Sequence, residues 1–173
     1  MSIMIRRFET TEWLTYKNLR LRALADSPDA FGSTFARESA RADDEWRDRL
    51  ERGANSPRDF PALASVGDVP AGIAWTRFDD ERPRVAHLFQ VWVAPEHRGT
   101  GVGRRLVEAA IAWSRRSAVH VLELAVTSNG SAAAHLYRDL GFSAVGEVQP
   151  LRPGSELESQ PMRLVFDTTT VKP

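Results

Sequence analysis

The chain has 173 residues, 42% of them hydrophobic, which is the length and apolar content of one compact domain with a single core. Its 23 Lys plus Arg residues equal its 23 Asp plus Glu residues, so no global field draws it to nucleic acid or to an anionic membrane, and an anionic ligand needs a local site. There is no cysteine, which excludes disulfides, thiolate metal sites and cysteine nucleophiles.

The N-terminus alternates as IMIRRF without the apolar run of a signal peptide, and no segment reaches the roughly 18 apolar residues of a membrane span. A soluble cytoplasmic protein is the expectation. No repeat or low-complexity tract interrupts the chain, so one domain is expected over residues 1–167, with a frayed tail at 168–173.

Residues 3–8 predict a first strand, and Thr10 or Thr11 is placed to cap a helix carrying Trp13, Leu14, Leu21 and Leu24 up to the break SPDAFG. A polar helix follows from Glu38 to Arg52, with Trp46 and Leu50 four apart on one side and Gly53 as its C-cap. ALASV and AGIAWTRF around GDVP read as a hairpin, and VAHLFQVWV adds a third antiparallel strand. After PEHRGTG the period changes. Val102, Leu106, Ala109, Ala110 and Trp113 fall at helical spacing, and the strand VHVLELAV comes next, so the order is that of a crossover unit. A short helix from about Ser131 to Leu140 ends at Gly141, and SAVGEV and PMRLVF close the chain as strands. These elements predict an α/β (α+β) mixed sheet with helices on both faces.

The stretch most informative about chemistry is VWVAPEHRGTGVGRRLVEAA, in which Arg98, Gly99, Gly101 and Gly103 stand between a strand and a helix start. Such a turn presents backbone N–H groups without intrahelical partners, at the positive end of the helix dipole, to an anion. It is not a Walker loop, because GK[ST] is missing, and Arg104 breaks the glycine spacing of a dinucleotide fingerprint. An ordinary glycine-rich turn is the plain alternative.

Arg98-x-x-Gly101-x-Gly103 resembles the acetyl-CoA pyrophosphate loop of the GNAT superfamily of N-acetyltransferases, R/Q-x-x-G-x-G/A. LELAVTSNGSAAAHLYRDLGF is similar to that family's fifth strand and following helix, with the pattern N-x-x-A-x-x-L-Y-x-x-x-G-F. Asn129 stands eight residues before Tyr137, where the family asparagine stands seven before. The resemblance implies a predominantly antiparallel sheet of about seven strands with about four helices. It further implies acetyl-CoA as co-substrate and direct transfer of acetyl to an amine; His97, His120 and His135 show no ligand spacing with acidic or histidine partners, so no metal is expected.

By position it assigns the coenzyme to the backbone of Val91, Trp92 and Val93, to the loop Arg98, Gly99, Thr100, Gly101, Val102, Gly103 and Arg104, and to Asn129 at the pantetheine arm. Tyr137 matches the tyrosine that protonates the leaving thiolate; a packing tyrosine is the alternative. For the base, strand parity puts His87 on one face with Phe89, Val91 and Val93, and histidine's ordinary pKa near 6.5 suits the task. Glu123 is its rival, and a structural role is open for either residue.

Trp75 and Trp92, on strands, can line a cleft, while Trp13, Trp46 and Trp113 fit helical core faces. For the acceptor, Asp26, Asp29 and Glu38 can attract a cationic amine and Phe31 and Phe35 can hold its body; a solvated loop with two buried aromatics is equally compatible. The expected partner is a small-molecule or peptide amine, without nucleic acid or membrane, and a homodimer is compatible with the sequence. A coenzyme-binding module without turnover is the alternative from another functional class.

Overall fold

The computed structural model describes residues 1–127 and 131–167. In chain order the elements are β1 (Ile3–Arg7), α1 (Trp13–Asp26), a 3-10 turn (Pro28–Ala30), α2 (Phe35–Ser39), α3 (Asp43–Asn55), β2 (Asp59–Val66) and β3 (Val69–Phe78). They continue with β4 (Val85–Val93), a second 3-10 turn (Pro95–His97), α4 (Val102–Arg116), β5 (Val121–Thr127), α5 (Ala132–Asp139), β6 (Ser143–Ala144), β7 (Gln149–Pro150) and β8 (Glu158–Val165). Among the described residues eight strands form one sheet in the order β1-β2-β3-β4-β5-β8-β6, with β7 also paired to β8. The β4–β5 contact is parallel and the other pairings are antiparallel.

Alternation along the strands divides the interior between the two faces of the sheet. On one face Leu106, Val107 and Ala110 of α4 and Tyr137 of α5 pack on Ala62, Ala64 and Leu122. On the other, Tyr16 and Leu24 of α1 and Trp46 and Leu50 of α3 pack on Leu63, Ile73 and Trp92. Trp46 and Leu50 are fully buried, as their four-residue spacing predicts, and each such side chain contributes about 1.5–3 kcal/mol. Among the described residues, no helix is long and apolar enough to cross a membrane.

Local chemistry moves several boundaries. The polar helix does not begin at Glu38: the Thr34 hydroxyl accepts from Arg37 N at 3.2 Å and caps the separate five-residue α2. Gly53 is not a cap, because α3 runs on to Asn55, and a Cβ at Gly53 would lie 2.2 Å from Trp75 Cζ2. Neither Thr10 nor Thr11 caps α1, whose N-cap is Glu12. The last two expected strands are divided into three, with β6 and β7 two residues each.

The strand parity expected for β4 is corrected by a bulge. Trp75 pairs with Phe89 and Ile73 with Trp92, so Gln90 and Val91 together face the single residue Ala74. Gln90 takes φ +57°, and its side-chain oxygen accepts from the Tyr16 hydroxyl at 2.8 Å. The extra residue reverses the alternation. Val91 and Val93 pack toward α4, whereas Phe89 stacks on Trp75 and Trp92 joins the α1 side. His87 therefore does not share a face with Val91 and Val93.

Candidate active site

β4 and β5 are paired only over Val85–His87 and Val121–Glu123. Beyond that point β4 stays with β3 while β5 follows β8 out to Thr127, so the two strands diverge. Their separation opens a cleft of about 540 Å³, walled by residues 88–91 on one side and 124–127 on the other. Tyr137 of α5 lines it from one face of the sheet, and Arg20, Phe31, Glu38 and Arg49 from the other. The cleft is thus a slot through the sheet with a differently built mouth on each side.

The glycine turn lies past the end of β4, at the start of α4. Gly99 and Gly101 have φ +72° and +95°, and a Cβ on either would project into open space. Gly101 is the N-cap of α4, and its carbonyl accepts the first intrahelical bond, from Arg105 N at 3.1 Å. The N–H groups of Val102, Gly103 and Arg104 precede any intrahelical acceptor, which is the donor set an anion requires. A Cβ on Gly103 would be 3.5 Å from Val93 Cγ2, so this glycine brings α4 close to β4. Thr100 closes the turn by donating to His97 O at 2.6 Å.

Arg98 is directed away from the turn's donors. Its guanidinium donates to Val93 O at 3.0 Å and to the Asp26 carboxylate at the end of α1. Trp92 Nε1 donates to the same carboxylate at 3.0 Å. Hydrogen bonds from Ser27 and Trp92, together with Arg98, hold the Asp26 carboxyl at a pKa of about 2. Arg104 pairs with Asp139 at 3.2 Å. Asn129 lies outside the described residues.

Tyr137 is almost wholly buried, meets Phe142 edge to face with ring centroids 5.9 Å apart, and its hydroxyl makes no hydrogen bond among the described residues. Burial pushes its pKa up to about 12, so the hydroxyl keeps its proton at any physiological pH.

His87 and Glu123 stand at the last paired rung of β4 and β5, before the cleft opens. His87 Nε2 is 2.7 Å from Asp79 Oδ2, and Nδ1 is 3.9 Å from Glu123 Oε2. Arg82 donates to Glu123 at 3.0 and 3.2 Å, and Arg163 to the same carboxylate at 3.3 Å. Burial raises the Glu123 pKa, but Arg82, His87 and Arg163 together hold it below its ordinary value. The hydrogen bond with His87 and those from Arg82 and Glu81 hold Asp79 well below the carboxylate range. His87 lines a neighbouring hollow that shares Phe89 with the cleft.

Of the expected acceptor residues, Phe31 and Glu38 line the cleft and Trp75 does not; it lines an adjoining hollow, where Nε1 donates to Asp59 at 2.8 Å. The Glu38 carboxylate is buried and engaged, accepting from Ser33 at 2.8 Å, Arg41 at 2.8 Å and Arg49 at 3.2 Å. Burial raises its pKa, and these partners more than reverse that, leaving it below its usual value. Asp26, tied to Trp92 and Arg98, and Asp29 are not part of the cleft wall.

Sequence reasoning missed Arg20 and Arg49. Arg20 continues the buried stripe of α1 formed by Tyr16, Leu19, Ala23 and Leu24, and a charged residue on such a stripe is the signal that could have found it. Its guanidinium lies over the Phe31 ring at 4.7 Å, and burial lowers its pKa without removing its charge.

The fold and this slot define a class. Residues 20–142 match the Acetyltransferase (GNAT) family, and the chain belongs to it. The L-amino acid N-acyltransferase MnaT of Escherichia coli is 33% identical over 109 residues, covering 62% of this chain and 59% of that protein. The mycothiol acetyltransferase of Pseudarthrobacter chlorophenolicus is 29% identical over 124 residues, covering 70% of this chain and 36% of that protein. The chain thus matches less than two thirds of the length of either relative. A GNAT-family acetyltransferase from Streptococcus pneumoniae has the same fold, with a TM-score of 0.80 at 24% identity, over 96% of this chain and 100% of its own. The yncA protein of Salmonella typhimurium, solved with its cofactor acetyl-CoA, gives a TM-score of 0.76 at 21% identity, over 100% of this chain and 99% of its own.

Proposed function

We propose that the chain transfers the acetyl group of acetyl-CoA directly to a primary amine within the slot between β4 and β5. The observation that carries this reading is the slot itself: a protonated tyrosine lies in its wall, arginines and Phe31 line its other side, and a glycine turn with free N–H donors follows β4, the strand that forms one of its walls. Two substrates entering from opposite faces would meet where the strands part.

In this reading the N–H groups of Val102, Gly103 and Arg104 hold the coenzyme pyrophosphate, and the β4 backbone around Val91 polarises the thioester carbonyl. Transfer forms a C–N bond to the acetyl carbon and breaks its C–S bond; the nitrogen gives up one proton and the sulfur gains one. A lysine-like amine has a pKa near 10.4, so making it neutral at pH 7 costs roughly 4–5 kcal/mol. Its proton passes to water in the cleft, because Glu38, the carboxylate lining it among the described residues, is fully engaged. His87, in the neighbouring hollow, acts as proton acceptor through water.

Tyr137 donates its hydroxyl hydrogen to the developing thiolate. Full transfer from a group of pKa about 12 to a cysteine-like thiolate near 8.5 runs uphill by roughly 3–4 pKa units, so the hydroxyl stabilises the leaving sulfur chiefly as a hydrogen-bond donor. The test is acetyl-CoA with a panel of amines, read as free thiol and acetylated product. Coenzyme that binds but releases no thiol with any amine would replace this reading by a binding module without turnover.

A further inference from the structure

The acceptor mouth carries more positive than negative charge. Among the described residues, the ionised side chains lining the cleft are Arg20 and Arg49 against the carboxylate of Glu38, whose two oxygens are already taken by Ser33, Arg41 and Arg49. Arg20 feels the Glu38 charge but makes no hydrogen bond to it. It is 4% exposed, and its Nε and Nη1 have no hydrogen-bond partner among the described residues. Burying charged donors unpaired costs more than a net hydrogen bond returns, so a cleft that keeps them is built for a group absent from the protein itself.

The chemistry of that group follows from the donors. A guanidinium presents parallel N–H groups that match the two oxygens of a carboxylate, and stacking on Phe31 fixes the plane in which Arg20 offers them. Arg152 steadies the stacking partner from outside, donating to Pro28 O and Phe31 O at 2.9 Å each. Phe31 and Phe89 supply apolar wall between the arginines and the β4 bulge, while Tyr137 marks the place of transfer.

We infer that the acceptor is a small amine that also carries a carboxylate, of amino-acid type, with the carboxylate received by Arg20 and its amine directed to the bulge at Gln90 and Val91. This rests on the acetyltransferase reading for the amine, but not for the carboxylate. A polycationic acceptor is disfavoured by the same arginines, since like charges meeting in a partly closed cleft repel.

Paired substrates test the idea: phenylalanine against 2-phenylethylamine, and methionine against its decarboxylated amine. Each amino acid should exceed its partner in kcat/KM by at least about tenfold, the worth of a charge-assisted hydrogen bond. Arg20→Met keeps the apolar stem and should bring the two within about threefold, with an unchanged apparent KM for acetyl-CoA. Equal use of both amines by the unaltered protein overturns the inference and leaves the transferase reading standing. If neither class turns over, the transferase reading fails, and binding still decides the carboxylate. 3-Phenylpropionate titrated calorimetrically into the CoA-bound protein should bind saturably, and Arg20→Met should abolish this. Absence of binding, or binding that survives in a folded Arg20→Met variant, overturns the inference.

Discussion

Tyr137→Phe separates catalysis from packing, because the ring is buried while the hydroxyl makes no hydrogen bond among the described residues and the side chain lines the cleft. Removing a hydroxyl that has no protein partner breaks no hydrogen bond, so the melting temperature at pH 7 should hold. Turnover should fall by about 10²–10³, the range for losing one donor aimed at developing negative charge, with coenzyme affinity nearly constant. Alkali provides a second readout. The folded hydroxyl titrates near 12 and an unfolded tyrosine near 10, so the unfolded state releases this proton first. Its contribution is complete below pH 10 and is lost as pH rises toward 12, by roughly 3 kcal/mol for the two-unit difference. Denaturant titrations from pH 8 to 12 should show that loss in the parent protein and a smaller one in the variant. Full activity in Tyr137→Phe, or destabilisation beyond about 2 kcal/mol at pH 7, would refute the assignment.

Gly101→Val places a β-branched residue at φ +95° and a side chain where the anion would sit, costing about 1–3 kcal/mol of stability; coenzyme should then no longer raise the melting temperature, and an intact rise would count against the turn. Glu38→Ala should cost about 3 kcal/mol at pH 7, the low end for breaking a buried ion pair because Arg41 and Arg49 are 30% and 32% exposed. Since the folded Glu38 carboxyl is held low, its contribution is present above the ordinary carboxylate pKa of about 4.3 and disappears as pH falls through the folded value; denaturant titration should show parent and variant converging in acid. His87→Ala should slow turnover by less than about tenfold, as expected of a group acting through water; a loss of about 100-fold or more in the pH–rate profile would make it the direct proton acceptor.

Much of the coenzyme half was legible because its signals are local. The alternation of VAHLFQVWV marked β4 over Val85–Val93, and the change to helical spacing after the glycines placed the start of α4 at Val102. The acceptor half depends on contacts between distant segments. Gln90 is an ordinary strand residue in sequence, and its bulge is held by Tyr16, 74 positions away. That one displaced residue sends the valines and His87 to opposite faces, which a strict two-residue period cannot anticipate. Glu38 looked like a free carboxylate because its partners Arg41 and Arg49 come from beyond α2. Arg20 was hidden in a helix whose stripe was read from its leucines and tryptophan alone.

Helix α1 carries Arg20 at the cleft and, six residues on, Asp26 clasped by Arg98 beside the glycine turn. One rigid rod therefore touches both proposed substrate sites, and a tilt of it would be felt at each. Free-energy linkage makes such an influence mutual: whatever factor by which coenzyme alters acceptor affinity, the acceptor alters coenzyme affinity by the same factor. Cutting the clasp with Asp26→Ala would bring that factor toward one, so that each ligand binds as though the other were absent.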